Sequence, residues 1–112
     1  MANNSERRQY ARIKVRWPIT ILTDNSTIEG ETRDISPSGM FINGKEPLQL
    51  NQTYQISVMP PNHHNIDLAC KVIWSHFYTT DGEKIYGLGF CFVKVSEEDR
   101  TFLIDLLSIA DK

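Results

Sequence analysis

The sequence has few cysteines, no long apolar run and no strong excess of either charge. Two cysteines, Cys70 and Cys91, stand in 112 residues, which excludes the disulfide framework of a small secreted domain. The most apolar late stretch, residues 102–107, is interrupted by Asp105 and is far too short to span a bilayer. The first residues lack the charged and apolar regions of a secretion signal. These absences predict a cytoplasmic domain without a membrane span.

The residue combinations that carry catalysis are missing as well. We find no acid–base pair, no phosphate-binding loop and no cysteine–histidine spacing typical of a zinc site. His76 has no serine or cysteine partner at a recognisable nucleophile turn. The adjacent His63 and His64 follow a Pro-Pro-Asn loop and are expected to be solvated. The sequence therefore predicts a protein that is not an enzyme and needs no cofactor or metal.

What is present fits one soluble globular domain. Hydrophobic residues make up 40% and charged residues 23% of the chain, and the net charge is -2. The charge is uneven, because residues 1–16 contain five basic side chains against one acid while residues 97–112 are acidic. A basic arm on a mildly acidic body favours a local anion site over a surface that coats nucleic acid.

Most of the sequence alternates apolar and polar residues with the period of a β-strand. Such stretches cover residues 19–23, 27–34, 39–42, 54–58, 66–74 and 84–95, and turns between them predict an all-β barrel or sandwich. Asn43-Gly44 is expected to be a turn, and residues 79–82 a polar loop. Trp74 is expected on the inward face, and Gly87 and Gly89 at a bend or a close backbone approach.

The last segment predicts a helix. Ser96 can serve as N-cap, and the three acids that follow it suit the positive end of a helix dipole. Phe102, Leu103, Leu106 and Leu107 then form a stripe that could cover one end of a barrel.

Two short motifs carry chemistry. Arg8 and Arg12 form an R-x-x-x-R element, and arginine can grip a phosphate or the O6/N7 edge of guanine, or stack on a base. Residues Asp34, Ser36 and Gly39 form a D-x-S-x-x-G turn, in which an ionised aspartate suits the N–H donors of guanine and glycine leaves clearance. Taken singly, the arginines also fit a solvated face, and the second motif a turn bonded to its own backbone.

Together the motifs resemble the PilZ domain, and Val72-Ile73-Trp74 followed by Tyr86-Gly87-Leu88-Gly89-Phe90 resembles the paired late strands of that family. The resemblance covers about residues 6–110. It implies a mainly β fold, a six-stranded antiparallel β-barrel with a C-terminal α-helix. The expected divisions of this single PilZ domain are a flexible arm at 1–12, the barrel at 13–95 and the helix at 96–110.

The resemblance also implies a ligand, cyclic di-GMP, which the arm wraps when it binds. The family's ligand residues correspond to Arg8, Arg12, Asp34, Ser36 and Gly39, and an arginine at position 7 tends to favour an intercalated pair of ligand molecules. A receptor of this kind passes its signal to a downstream protein. Two other functions stay open, a PilZ-like protein-interaction adaptor and a small barrel that binds single-stranded nucleic acid through its basic arm.

Overall fold

Six antiparallel strands and one C-terminal helix form the part of the chain that the structure describes. The computed structural model describes residues 12–110, and the strands close into a barrel in the order β1-β2-β3-β6-β5-β4. The elements are β1 (Pro18–Leu22), β2 (Thr27–Ile35), β3 (Gly39–Gly44), β4 (Thr53–Val58), β5 (Ile66–Thr80), β6 (Glu83–Lys94) and the helix α1 (Glu97–Ala110). The expected fold class is confirmed.

The period-2 alternation accounts for the barrel core. On β2 the exposed residues Glu29 and Glu31 alternate with Ile28 and Thr32, which are buried. The same alternation on β1, on β4 and on the first part of β5 turns every second side chain toward the core. The fully buried side chains of the strands include Ile19, Ile21, Ile35, Met40, Ile42, Val58, Ile66, Leu68, Cys70, Val72, Leu88 and Phe90.

Helix α1 closes one end of the barrel. The Ser96 hydroxyl accepts a hydrogen bond from the Asp99 N–H at 3.1 Å, so Ser96 is the predicted N-cap. Leu103 is fully buried, and the Phe102 ring stacks on Trp17 with 6.4 Å between centroids. The predicted apolar stripe therefore faces the core. No helix in the described part of the chain has the length and apolarity to cross a membrane.

The β5–β6 hairpin is longer than the sequence indicated. β5 continues to Thr80, and only Asp81 and Gly82 form the turn, where a loop over 79–82 was expected. Both turn residues have positive φ, 51° and 80°, which is the geometry of a two-residue I′ turn and explains the Asp-Gly pair. The extra strand length makes this hairpin project beyond β3 and β4.

Asn43 and Gly44 do not form the expected turn. Both lie in β3, where Asn43 pairs with Glu31 and with Gly87, and the chain turns only after them. The side chain of Asn43 is instead used across the sheet, because its Oδ1 accepts a hydrogen bond from the Tyr78 hydroxyl at 3.1 Å. Asn-Gly is a strong turn signal only where the flanking strands end, and here the pairing of β3 with β6 continues through it.

Candidate ligand-binding site

The segment just before β1 is fastened along β2. Ile13 and Ile35 exchange both backbone hydrogen bonds, at 2.8 and 2.9 Å. Further along, the Thr32 N–H donates to the Trp17 carbonyl, and the buried Thr32 hydroxyl accepts from the Trp17 N–H and donates to the Val15 carbonyl. These bonds fix where the chain emerges onto the barrel surface, immediately ahead of Ile13.

Arg12 therefore lies against Asp34, and one residue of each predicted motif meets the other. The Arg12 Nη1 atom is 3.0 Å from Asp34 Oδ1, and the guanidinium carbon lies 5.0 Å from the centre of the Phe41 ring. The two charged side chains are 35% and 22% exposed, so both remain within reach of a ligand. The pair is partly solvated, and an ion pair of this kind contributes at most about 1 kcal/mol to stability.

The pairing register extends this contact into a row across the outer face of four strands. Asp34 pairs with Phe41 on β3, Phe41 with Gly89 on β6, and Gly89 with Trp74 on β5. A Cβ on Gly89 would lie 2.6 Å from Phe41 Cε1 and 3.2 Å from Trp74 Cβ. The glycine is needed because the two aromatic rings close over it, edge to face at 5.5 Å. The close approach at Gly89 is thus made by the side chains of Phe41 and Trp74, where a bend or a close backbone approach was expected.

The expected inward orientation of Trp74 is wrong. Ile66, Leu68, Cys70 and Val72 do point inward, but a bulge between Val72 and Trp74 shifts the register and leaves Trp74 44% exposed. Trp74 and Phe41 are the site residues that motif reasoning missed. The glycine that faces both positions on β6 is the one sequence signal that could have indicated an aromatic side chain on this surface.

Ser36 builds the turn between β2 and β3. Its side chain is buried, and its Oγ accepts hydrogen bonds from the backbone N–H groups of Ser38 and Gly39 at 3.2 and 3.3 Å. The Ser36 N–H also donates to the Gly39 carbonyl at 2.8 Å. Ser36 therefore bonds to the backbone of its own turn, which is one of the two roles that the sequence left open. The Asp34 side chain does not, and it contacts Arg12 instead.

Gly39 is required by the barrel itself. Among the described glycines only Gly82 has a positive φ, so the backbone of Gly39 is in a region that other residues also adopt. A Cβ at position 39 would instead lie 2.4 Å from the Phe90 carbonyl oxygen of β6. The clearance provided by this glycine admits a neighbouring strand. Arg7 and Arg8 lie outside the described residues.

A second polar cluster corrects the expectation for His63, which is half-buried, whereas His64 is 53% exposed as expected. His64 Nε2 is 2.9 Å from Asp99 Oδ1, and the His63 ring is stacked between His64 and Phe102, with centroids 4.0 and 3.7 Å away. The loop is thus packed against the start of α1, and His63 Nε2 is buried without a hydrogen-bond partner among the described residues. Ligand atoms of His63, His64 and Asp99 lie within 4.8 Å of one another. The planes of the two imidazole rings are tilted by 32° to each other.

The family-model comparison agrees with the motifs. The model of the PilZ domain matches residues 6–108, nearly the whole chain. The chain belongs to the PilZ domain family. PilZ domains are ligand-binding receptor domains, and the enzyme class therefore has no support from the family. No curated protein sequence matches the chain.

Solved PilZ structures share the fold. The PilZ domain of YcgR from Escherichia coli, solved with c-di-GMP, superposes with a TM-score of 0.74 at 24% identity, over 90% of this chain and 88% of that one. YcgR from the same organism in complex with c-di-GMP gives 0.76 at 25% identity, over 94% and 46%. The Bacillus subtilis inhibitor of motility MotI/DgrA gives 0.78 at 14% identity, over 93% and 51%. The chain thus spans about half the length of MotI.

Proposed function

We propose that this chain is a non-enzymatic, cytoplasmic receptor for cyclic di-GMP that binds the dinucleotide on the outer face of the barrel. The observation that carries the proposal is the Arg12–Asp34 contact of 3.0 Å, which joins the two PilZ motifs at the barrel surface. The YcgR structures, which contain c-di-GMP, support the choice of ligand. The two free cysteines fit a reducing compartment.

Asp34 is the acceptor for guanine in this proposal. Its Oδ1 is held by Arg12, while no described residue donates a hydrogen bond to Oδ2. An ionised carboxylate has several acceptor positions, and the N1–H and N2–H₂ groups of guanine are donors that match them. Ser36 and Gly39 contribute by holding the turn that presents Asp34 and Ser38. For Ser36 to contact the ligand directly, its hydroxyl must give up one of its hydrogen bonds to the backbone.

Arg12 supplies the fixed cation. Its guanidinium has five N–H donors, of which the contact to Asp34 uses one, so the others can reach a phosphate oxygen or the O6/N7 edge of guanine. Because Phe41 supports the group from one side, little side-chain freedom is lost when the ligand binds. Charge-assisted hydrogen bonds of this type contribute roughly 1.5–3 kcal/mol each.

Phe41 and Trp74 add a stacking surface beside the charged pair. Trp74 is 44% exposed, and its indole stands next to Phe41 at the end of the row that begins at Arg12. A base that stacks on an aromatic side chain of this kind contributes about 1–3 kcal/mol. We expect one guanine to be bonded by Asp34 and to lie against this pair.

The arm completes the site. Arg7 and Arg8 precede Arg12 by five and four residues, and the arm that carries them closes over the two phosphates of the ligand. Ordering the arm costs about 1–2 kcal/mol per residue fixed, so several arginine contacts are needed to offset it. An arginine at position 7 favours an intercalated pair of ligand molecules, and the closed arm presents a new surface to a downstream protein.

The test compares Asp34→Ala with Asp67→Ala by calorimetric titration of cyclic di-GMP. Asp67 is an exposed β5 aspartate outside the proposed site, so the two variants lose the same charge. We expect Asp34→Ala to weaken binding about tenfold or more, and Asp67→Ala to bind like the wild type. Wild-type affinity in Asp34→Ala would contradict the site. A wild-type stoichiometry of two ligands per chain that falls to one in Arg7→Ala would support the intercalated pair.

A further inference from the structure

Strand β5 runs well past the strand that covers one of its edges. β4 pairs with β5 from Val58↔Ile66 to Thr53↔Lys71, and Asn51 and Gln52 add two backbone bonds to Val72. Beyond Val72, no described residue pairs with that edge, although β6 pairs with the other edge as far as Thr80. Residues 73–80 therefore carry a row of backbone donors and acceptors that face outward.

This open edge lacks the features that normally protect an edge strand. Its sequence, Ile-Trp-Ser-His-Phe-Tyr-Thr-Thr, contains no proline, lysine, arginine, aspartate or glutamate. Three large apolar side chains stay exposed on it, Ile73 at 55%, Trp74 at 44% and Phe77 at 49%. The segment is rich in β-branched and aromatic residues, which favour strand pairing.

We infer that this edge pairs with the same edge of a second copy of the chain, antiparallel about a two-fold axis. Antiparallel pairing about such an axis is self-complementary, because each copy offers the same donors and acceptors to the other. The rest of the chain carries 14 acidic and 12 basic residues, yet residues 73–80 have no formal charge. The strand segment itself therefore carries no charge that would select a charged partner, and the cation beside it is Lys84 of β6, whose Nζ lies 5.8 Å from the centre of the Phe77 ring.

The position of the edge permits such an approach. β3 pairs with β6 only as far as Tyr86, so the hairpin beyond this residue projects from the barrel, as does β5 beyond β4. An axis at Phe77, which pairs this residue with its own copy, brings the two projecting hairpins together into a four-stranded ribbon. On one face of this ribbon, the Phe77–Tyr86 ring contact, with centroids 5.4 Å apart, meets its two-fold copy.

The exposed area predicts a weak dimer. Half-exposed Ile73, Trp74 and Phe77 offer roughly 300 Å² of apolar surface per copy, against about 800 Å² per partner in a stable complex. Self-association should therefore appear only at high concentration. The inference does not rest on the ligand, because the pairing uses the free edge of β5 and the unliganded chain.

Sedimentation of the unliganded chain between about 10 µM and 1 mM tests the inference. We expect the weight-average mass of the wild type to rise from the monomer toward the dimer. Phe77→Lys, which places two cations beside the axis, should remain monomeric. Val93→Lys is the matched control, because Val93 is a 59% exposed apolar residue of β6 outside the edge, and it should associate like the wild type.

Amide hydrogen exchange supplies the second measurement. Exchange within residues 73–80 should slow as the concentration rises in the wild type and in Val93→Lys, and should not change in Phe77→Lys. Circular dichroism identifies any variant that has lost its fold. A wild type that stays monomeric at the highest concentration would overturn the inference, as would a Phe77→Lys dimer or an edge whose exchange is independent of concentration.

Discussion

Arg12 occupies the position where the ends of two motifs meet, 3.0 Å from Asp34 and over the Phe41 ring. Replacing it with alanine removes both the cation and the partner that orients Asp34. We expect Arg12→Ala to weaken cyclic di-GMP binding about tenfold or more, and Arg12→Lys to recover only part of the loss, because an ammonium cannot form two parallel hydrogen bonds.

Arg16→Ala controls for the lost charge, since Arg16 is 79% exposed and contacts Glu31 at 3.4 Å. Calorimetric titration of the three variants measures the effect. Full recovery in Arg12→Lys would mean that charge alone acts at this position. Equal losses in Arg12→Ala and Arg16→Ala would mean that the arm binds the ligand without a defined contact.

Cys70 is a buried thiol whose ionisation should make the free energy of unfolding depend on pH. Burial, with a smaller contribution from the neighbouring Cys91, raises the pKa of Cys70 from 9.0 to about 12. Between these two pH values the unfolded thiol ionises while the folded thiol stays protonated. The stabilising contribution is therefore complete below pH 9 and is lost as the pH rises toward 12.

We expect the free energy of unfolding to fall by up to about 1.4 kcal/mol per pH unit above pH 9 because of this one group. Urea titrations of reduced wild type and Cys70→Ala at several alkaline pH values isolate it, since other groups titrate equally in both proteins. Cys91→Ser should keep most of the Cys70 effect, because Cys91 makes only the smaller contribution to it. Identical slopes in wild type and Cys70→Ala would show that Cys70 is not buried as described.

At the scale of the elements, β3 and β6 lie so close together at Gly39 that a larger residue there would disturb their pairing. Alanine at position 39 would place its Cβ 2.4 Å from the Phe90 carbonyl oxygen, and a backbone atom cannot yield easily. We expect Gly39→Ala to destabilise the fold by about 1–3 kcal/mol. Gly44→Ala, in the same strand but with its nearest atom 4.0 Å away, should change stability by less than about 0.5 kcal/mol.

Chemical denaturation of both variants provides the measurement, and ligand binding should be assayed at a temperature where both are folded. A Gly39→Ala protein with wild-type stability would show that the two strands can separate without cost. In that case, lost binding in the variant would indicate a direct role for Gly39 at the ligand.

The strands and the helix could be predicted from the sequence because their signals are local. Alternation identified the inward residues of β2, and Ser96 marked the start of α1, as the hydrogen bond to Asp99 N–H confirms. Two errors have a common cause. The bulge before Trp74 and the continuation of β3 through Asn43-Gly44 are both set by pairing with β6, which the local pattern of one strand does not contain.

The sequence predicted part of the candidate site, as it predicted part of the fold. The motifs identified Arg12 and Asp34, and the structure brings these two together. The motifs alone could not identify Phe41 and Trp74, because these residues join the site only through the register of four strands. The burial of the His63 ring could not be predicted either, since its contact with Phe102 depends on how α1 closes the barrel.

At the scale of the whole molecule, a closed barrel holds a rigid outer row against which a basic arm can bind an anion. The hydrogen bonds of Ile13, Val15 and Trp17 to β2 fix the position of the chain immediately after Arg12, and Arg12 lies beside Asp34. This row and the basic arm together explain why the proposed ligand is a dinucleotide with two phosphates and two guanines. They give no reason to bind a neutral or cationic ligand.

The most direct test of this account is a calorimetric titration of the wild-type chain with cyclic di-GMP, with cyclic di-AMP as the comparison. Both ligands carry the same two phosphates, but adenine lacks the N1–H and N2–H₂ donors that Asp34 is proposed to accept. The account predicts saturable binding of cyclic di-GMP and at least about tenfold weaker binding of cyclic di-AMP. Absence of heat with cyclic di-GMP at high micromolar concentration, or equal affinity for the two dinucleotides, would contradict it.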